Sequence, residues 1–291
     1  RWTNILTKGV IYLPVKVKGK TYEISNLSTV YSFNKRPSSS KYSQKDEYAE
    51  KPRKVETDNK LIEIASGTGF LINNKGYFVS NNHVVDICRE IKTQKNGDIF
   101  KVRILATDEV NDLALGKIDS TNNDFLLLSS EGGALGEEII VSGFPFQGVL
   151  SESVKITKGV ISSLSGPGNN YSLLQIDAAV QPGNSGGPIL NQRGEAVGVT
   201  VSKADAFAFL SKFSTLPENV NFGIKIETVK SFLKANNVSL NKSLFQSELS
   251  SVEIASLAQK STIHLQCWNT LTAAKEISKT NKARNLLVEV D

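Results

Sequence analysis

The 291-residue sequence predicts a mainly β protein built from two successive β-barrels. Short apolar segments separated by turn residues recur between residues 60 and 224, and the pair Gly132-Gly133 divides them into two sets. Apolar residues make up 40% of the chain and charged residues 22%, a composition typical of a folded protein with a full core. The length suits one large or two modest domains.

Residues 1–59 are predicted to form an N-terminal extension. The segment 9–17 is rich in β-forming residues, and 21–24 can return as the second strand of a hairpin around Lys18-Gly19-Lys20. From Asn34 to Asn59 the chain is polar and carries mixed charges with Ser and Pro, which indicates a linker or a loosely packed arm.

Residues 60–236 are predicted to be the main domain. The first set of strands covers the segments 61–65, 66–72, 77–80, 102–105, 113–115 and 125–128. The second set covers the segments 139–142, 154–157, 159–162, 173–177, 188–190, 196–199 and 220–224. A helix is expected from Ile226 to Asn236, because Val229, Phe232 and Leu233 recur at helical spacing.

Residues 237–291 are predicted to form a separate, small α+β segment. A helix starts near Ser250, the segment 262–268 alternates like a strand, a second helix covers 271–279, and 285–290 is a final strand. His264 lies in the alternating segment. Because its neighbours Ile263 and Leu265 point the other way, His264 is expected on the wetter face.

Several classes of function are disfavoured by composition. The net charge of +5 is spread along the chain without a basic, aromatic-rich tract, so nucleic acid is not an expected partner. No apolar run reaches the length of a membrane span. Only two histidines are present and the cysteines lack metal-ligand spacing, so neither a metal nor another cofactor is expected. Cys88 and Cys267 either form one disulfide or are separate buried residues.

The segment Gln181-Pro182-Gly183-Asn184-Ser185-Gly186-Gly187-Pro188 is the strongest chemical signal. Its glycines allow a tight turn whose backbone comes close to another group. Ser185 would stand on that turn with the amides of Gly183 and Ser185 aimed at one point, as acyl transfer requires. An ordinary Gly/Pro loop is the alternative.

His83 and Asp112 precede this turn in the chain, and each lies at the rim of a predicted strand. Taken alone, His83 is more often a surface or capping residue, and Asp112 a turn residue. Together with Ser185 they can take the three roles of base, carboxylate and nucleophile. A neutral imidazole can take the serine proton, and a carboxylate can hold the imidazole in the required tautomer.

Four motifs resemble those of the trypsin-like serine peptidases, specifically the HtrA/Deg-like branch. They are Gly67-Thr68-Gly69-Phe70, Asn81-Asn82-His83-Val84-Val85, Asp112-Leu113-Ala114-Leu115 and the segment from Asp177 to Pro188. The resemblance covers residues 60–235 and implies a chymotrypsin-type double β-barrel with its active site between the barrels. It implies a catalytic triad of His83, Asp112 and Ser185, and an oxyanion hole at Gly183, Asn184 and Ser185. The segment 191–195 would be a hairpin behind the nucleophile turn.

The resemblance also implies a substrate-binding region. Ala179 matches the floor of the specificity pocket, and Val199, Thr200 and Val201 match the strand that pairs with the substrate backbone. None of these residues is charged, so cleavage is expected after small or medium aliphatic residues.

Three departures from the family pattern stand out. Residues 237–291 are too few for the PDZ domain that usually follows the protease. Gly116 replaces an apolar residue, which indicates a bulge or a close approach of another group. The apolar loop 201–219 either gates the substrate, contacts another subunit or packs locally as a helix.

The sequence therefore predicts a serine endopeptidase that acts on polypeptides, unfolded proteins among them, through an acyl-enzyme. The alternative is a catalytically silent protease-fold binding protein or scaffold, or a chaperone-like factor. Export to a periplasm or secretion, a role in protein quality control and a homo-oligomeric state are further expectations from the family.

Overall fold

A computed structural model of the chain describes residues 14–17, 20–23, 60–95, 98–119, 124–146, 151–201, 219–241 and 247–279. The predicted N-terminal hairpin is present as β1 (Pro14–Val17) and β2 (Lys20–Glu23), which pair antiparallel. The polar linker 34–59, most of the loop 201–219 and the predicted strand 285–290 lie outside the described residues.

The first barrel contains most of the strands that precede Gly132. Its elements are β3 (Leu61–Leu71), β4 (Tyr77–Ser80), α1 (Asn82–Val85), β5 (Glu90–Lys95), β6 (Asp98–Asp108) and β7 (Leu113–Ile118). The turn between β3 and β4 is held by the Asn73 side chain, whose Oδ1 accepts hydrogen bonds from the backbone N–H groups of Lys75 and Tyr77.

The second barrel contains the later strands and is closed, in the order β10-β13-β12-β11-β8-β9. Its elements are β8 (Glu138–Gly143), β9 (Lys155–Ser163), β10 (Leu173–Ile176), β11 (Pro188–Leu190), β12 (Ala196–Val201) and β13 (Asn221–Lys225). Helix α2 (Ile226–Ala235) follows directly and buries Val229, Phe232 and Leu233, as the helical spacing predicted. The prediction of two successive barrels is confirmed.

The C-terminal part of the described chain departs from the predicted domain division. It forms α3 (Ser251–Ser261), β14 (Thr262–Thr270) and α4 (Leu271–Lys279). Strand β14 is not part of a separate unit: it pairs antiparallel with both β3 and β5 and closes the first barrel in the order β14-β3-β4-β7-β6-β5. Closure explains this placement, because without β14 both β3 and β5 would leave an unpaired edge.

His264 is buried, with 6% of its surface exposed, so its expected position on a wetter face is wrong. The alternation itself was interpreted correctly, since Ile263 and Leu265 belong to the apolar cluster inside the first barrel. The opposite face of β14 is covered as well. There the Thr262 hydroxyl hydrogen-bonds Ser142 of the second barrel, at 2.8 Å between the two Oγ atoms.

Cys88 and Cys267 form a disulfide. Cys88 lies just beyond α1, and Cys267 lies on β14. The bond therefore ties the short helix that carries His83 to a strand 179 residues later in the chain.

Gly116 marks a close approach, one of the two structures expected for it. A Cβ on Gly116 would lie 2.2 Å from the ring of Phe78, so the phenyl group occupies the space that a side chain would need. No helix among the described residues is long and apolar enough to cross a membrane.

Candidate active site

His83 and Asp112 are paired by two hydrogen bonds. His83 Nδ1 lies 2.7 Å from Asp112 Oδ2, and the backbone N–H of His83 donates to Asp112 Oδ1 at 2.9 Å. Both side chains are largely buried. An Nδ1–H that donates to the carboxylate leaves Nε2 as the proton-accepting nitrogen of a neutral ring.

The position of Asp112 depends on the turn that precedes β7. Asp112 has a φ of 54°, an unusual value for a residue other than glycine. The turn is fixed by Asn111, whose backbone and side-chain N–H groups both donate to the Asp108 carboxylate. These hydrogen bonds hold the pKa of Asp108 below its usual value. The Asn81 side chain also donates to the backbone oxygen of Asp112, at 2.9 Å.

Ser185 stands on the predicted glycine turn, and two of the glycines there have a backbone that other residues rarely adopt. Gly183 has a φ of 100° and Gly186 a φ of 85°. A Cβ on Gly183 would lie 2.4 Å from the Phe144 backbone oxygen, and one on Gly186 would lie 2.1 Å from the Thr68 oxygen. The turn therefore requires glycine for both conformation and space.

The Ser185 turn lies directly against the chain that leads to His83. The missing Cβ of Gly186 would be 2.3 Å from Ser80 Oγ and 3.1 Å from the Asn81 backbone nitrogen, two residues before His83. Ser185 and His83 are both buried, with 5% and 8% of their surfaces exposed. The structure thus brings His83, Asp112 and the Ser185 turn together between the two barrels.

Thr68 connects the barrels at this point. Its backbone N–H donates to the Ser185 oxygen at 2.9 Å, and its hydroxyl donates to the Gly183 oxygen at 2.6 Å. The same hydroxyl accepts a hydrogen bond from the Phe144 N–H at 3.1 Å. Sequence analysis quoted Thr68 within a motif and assigned it no role. The sequence around Thr68 gives no indication that its side chain contacts a residue 115 positions later in the chain.

The predicted oxyanion-hole residues differ in what their backbone groups do. The Asn184 N–H donates to the Gln181 oxygen at 3.0 Å, so it is used to close the turn. Asn184 is buried, and its side chain lies against Gly143 of the second barrel. The Asn184 N–H was expected to be an oxyanion donor, but it is used within the turn instead. Gly183 and Ser185 remain the candidates for the oxyanion donors.

The predicted substrate-binding residues fall into two groups. Ala179 is exposed, as a pocket residue should be, and its oxygen accepts a hydrogen bond from the Thr157 hydroxyl at 2.8 Å. Val199 and Thr200 are fully buried. The backbone of Thr200 is also occupied, since it accepts from the Gly186 N–H and donates to the Gly187 oxygen. The structure therefore does not bring Val199 and Thr200 to an open cleft, while half-buried Val201 ends the described part of the strand.

The hairpin predicted at 191–195 connects β11 and β12. Glu195, the last residue of this connection, is buried, and its Oε2 accepts hydrogen bonds from the Asn191 side chain and from Arg193 Nε. The hydrogen bond to Glu195 raises the pKa of Arg193. This ion pair fixes the hairpin behind the Ser185 turn.

His264 is the second histidine near the site. Its place beside the site could not be predicted from the sequence, because it depends on the pairing of β14. Burial, with a smaller contribution from the positive charge of Lys155, lowers the pKa of His264 to about 4. Its ring lies 5.3 Å from that of Phe144, measured between centroids. Among the residues that the structure describes, no three His, Cys, Asp or Glu side chains are grouped as metal ligands.

Comparison with known proteins agrees with this geometry. A family model for the trypsin-like peptidase domain matches residues 67–199, a range that contains His83, Asp112 and Ser185. The chain contains a trypsin-like peptidase domain. The peptidase domain is similar to serine proteases of the HtrA and DegP-like groups, and the two closed barrels have the chymotrypsin-type architecture expected for a trypsin-like peptidase.

Three relatives illustrate the similarity of the peptidase domain. The uncharacterized protein y4bJ of Sinorhizobium fredii is 35% identical over 204 residues, which cover 70% of this chain and 32% of that protein. Serine protease HTRA1A of Danio rerio is 31% identical over 62% of this chain and 36% of its own length. A probable periplasmic serine endoprotease, DegP-like, of Pseudomonas putida is 34% identical over 52% of this chain and 32% of its own length. The matched region thus spans about a third of each relative.

Proposed function

We propose that the chain is a serine endopeptidase that cleaves polypeptides through an acyl-enzyme. The observation that carries this proposal is the His83–Asp112 pair beside a glycine turn that presents Ser185. In the proposed mechanism, Ser185 Oγ attacks the peptide carbonyl while His83 Nε2 accepts its proton. Asp112 holds the imidazole and stabilises its protonated form.

The oxyanion is stabilised by the backbone N–H groups of Gly183 and Ser185 in this proposal. Both belong to the same tight turn, and the peptide that carries the Gly183 N–H is held by its Pro182 oxygen, which accepts a hydrogen bond from the Phe146 N–H. A donor fixed before the reaction costs no reorganisation when charge develops, and losing one such donor lowers kcat by about 100- to 1,000-fold.

The fluorophosphonate reaction tests the proposed nucleophile. We expect the wild-type protein to be labelled at one serine and to cleave an unfolded protein such as casein, and we expect Ser185→Ala to do neither. Labelling that persists in Ser185→Ala would contradict the assignment. A wild-type protein that is neither labelled nor active with unfolded substrate would instead support the silent binding protein or scaffold.

We also propose that the preferred residue before the cleaved bond is small or medium aliphatic, because the exposed candidate for the pocket floor is Ala179. A peptide library resolved by mass spectrometry tests this preference. Cleavage mainly after Lys, Arg, Asp or Glu would rule it out, whereas enrichment of Ala, Val or Ile would support it.

Export to the periplasm or secretion fits the Cys88–Cys267 disulfide, because such bonds persist in oxidising compartments. The DegP-like relative is described as probably periplasmic. Trapping of free thiols in intact cells tests this proposal, which predicts that both cysteines are protected from alkylation. We propose protein quality control as the setting, with unfolded proteins as substrates.

A further inference from the structure

The C-terminal strand β14 reaches the wall of the candidate active site. In the antiparallel pairing of β14 with β3, His264 lies opposite Thr68, so their side chains share one face of the sheet. That face is turned toward the second barrel, because the Thr68 hydroxyl binds Gly183 and Thr262, two residues before His264, binds Ser142. His264 therefore occupies the interface between the barrels beside the residue that holds the nucleophile turn.

On the second barrel, the contact of His264 is the ring of Phe144. The two ring centroids are 5.3 Å apart and the planes are inclined by 45°, within the range of favourable aromatic pairs. His264 is almost fully buried, and its Nε2 has no hydrogen-bond partner in the described part of the chain. The side chain thus contributes a neutral packed ring rather than a hydrogen bond.

The segment that carries Phe144 packs against the turn that holds Gly183 and Ser185, called the oxyanion turn below. The Phe144 oxygen lies where a Cβ on Gly183 would be 2.4 Å away, and Phe146 N–H donates to the Pro182 oxygen at 3.2 Å. Phe144 N–H also donates to the Thr68 hydroxyl. A displacement of Phe144 would therefore move the backbone against which Gly183 is fixed.

We propose that His264 is a positioning residue for the oxyanion turn, acting through its ring contact with Phe144. This inference rests on the proposed peptidase activity and adds a residue of the C-terminal strand to the machinery of that site. It assigns β14 two tasks: its inner face completes the first barrel, and its outer face supports the turn of the second barrel that stabilises the transition state.

Steady-state kinetics on a short peptide substrate provide the first test. His264→Ala removes the ring, so we expect kcat to fall about 10- to 100-fold, which does not exceed the effect of losing one oxyanion donor. We expect KM to change by no more than about twofold. His264→Phe keeps a ring in the same space and should retain most of the wild-type kcat, because Nε2 makes no hydrogen bond that phenylalanine would lose.

Gln266→Ala is the matched control. Gln266 lies on the same strand and the same face, two residues from His264, but its side chain binds Glu63 at 2.9 Å and does not approach the oxyanion turn. We expect Gln266→Ala to leave kcat unchanged. An equal loss of kcat in both alanine variants would show a general weakening of the strand and would overturn the proposal.

Backbone amide NMR separates the positioning role from the activity itself. In His264→Ala the signals of Phe144 and Gly183 should shift, whereas in Gln266→Ala and His264→Phe they should stay near the wild-type positions. Unchanged signals in His264→Ala would overturn the proposal. A wild-type protein without activity would refute the proposed function, and the amide signals would then decide on the positioning role alone. If His264→Ala does not fold, His264→Leu fills the space without a ring and is judged by the same criteria.

Discussion

The Thr68 hydroxyl donates a hydrogen bond to the Gly183 backbone oxygen, at 2.6 Å, and so joins the first barrel to the Ser185 turn of the second. Thr68 is fully buried, and its hydroxyl also accepts the Phe144 N–H. One side chain therefore holds both segments that surround the proposed oxyanion donor. This makes the interface between the barrels part of the candidate active site.

We expect Thr68→Val to lower the rate of fluorophosphonate labelling and kcat by at least about tenfold, since a displaced oxyanion donor costs up to 1,000-fold. Valine has nearly the same shape, but it leaves the Gly183 oxygen and the Phe144 N–H without their partner. Thr93→Val is the control: Thr93 is equally buried, and its hydroxyl has no partner among the described residues. Equal labelling rates in the two variants would contradict the role of Thr68.

Asp112→Asn should lower kcat by roughly four orders of magnitude if the paired imidazole is the general base, as in enzymes that use the same triad. The amide can present an N–H where Oδ2 now faces His83 Nδ1, which favours the wrong ring tautomer. Circular dichroism should show an intact fold. Asp119→Asn is the control, because Asp119 follows the same strand at its other end and pairs only with exposed Arg103 among the described residues. Comparable kcat values for the two variants would exclude Asp112 from the triad.

Loss of the Cys88–Cys267 disulfide should destabilise the protein by roughly 2–5 kcal/mol. The bond closes a loop with a sequence separation of 179 residues, and it fastens β14 to the end of α1. Urea unfolding of the Cys88→Ser, Cys267→Ser double variant measures the loss. The control is reductant, which should lower the midpoint of the wild-type protein and leave the double variant unaffected. A reductant effect on both proteins would point to a different cause.

Many features of this fold are predictable because the residues that determine them are close together in the sequence. The turn at Asn73–Gly76, the helix after β13 and the start of α3 depend on residues within a few positions of each other, and the Ser250–Glu253 capping box is one example. The three residues of the proposed triad were recognisable from motifs of the same local kind. His83 and Asp112 then proved to be in contact.

The remaining features depend on pairing between distant segments. The place of β14 follows from the edge left between β3 and β5, and nothing in the alternation of residues 262–268 indicates which sheet accepts it. The burial of His264 has the same origin, because an alternating strand shows two faces but not what covers each. The backbone hydrogen bonds of Thr200 to Gly186 and Gly187 could not be foreseen for a related reason: they depend on the register between distant segments, which a motif does not specify.

His264 should make the stability of the protein sensitive to mild acid. Its pKa is about 4 in the folded protein against an ordinary value of 6.5, so the unfolded chain binds a proton that the folded chain rejects as the pH falls below 6.5. The free energy of unfolding should therefore decrease between pH 6.5 and about 4, by about 3 kcal/mol from this group. Urea unfolding from pH 7.5 to 4 should show a shallower decrease in His264→Phe than in the wild-type protein, since all other titrating groups are shared. Lys155→Gln should also reduce the decrease, because the Lys155 charge helps to lower the pKa of His264. Parallel curves for wild type and His264→Phe would show that His264 does not titrate in this way.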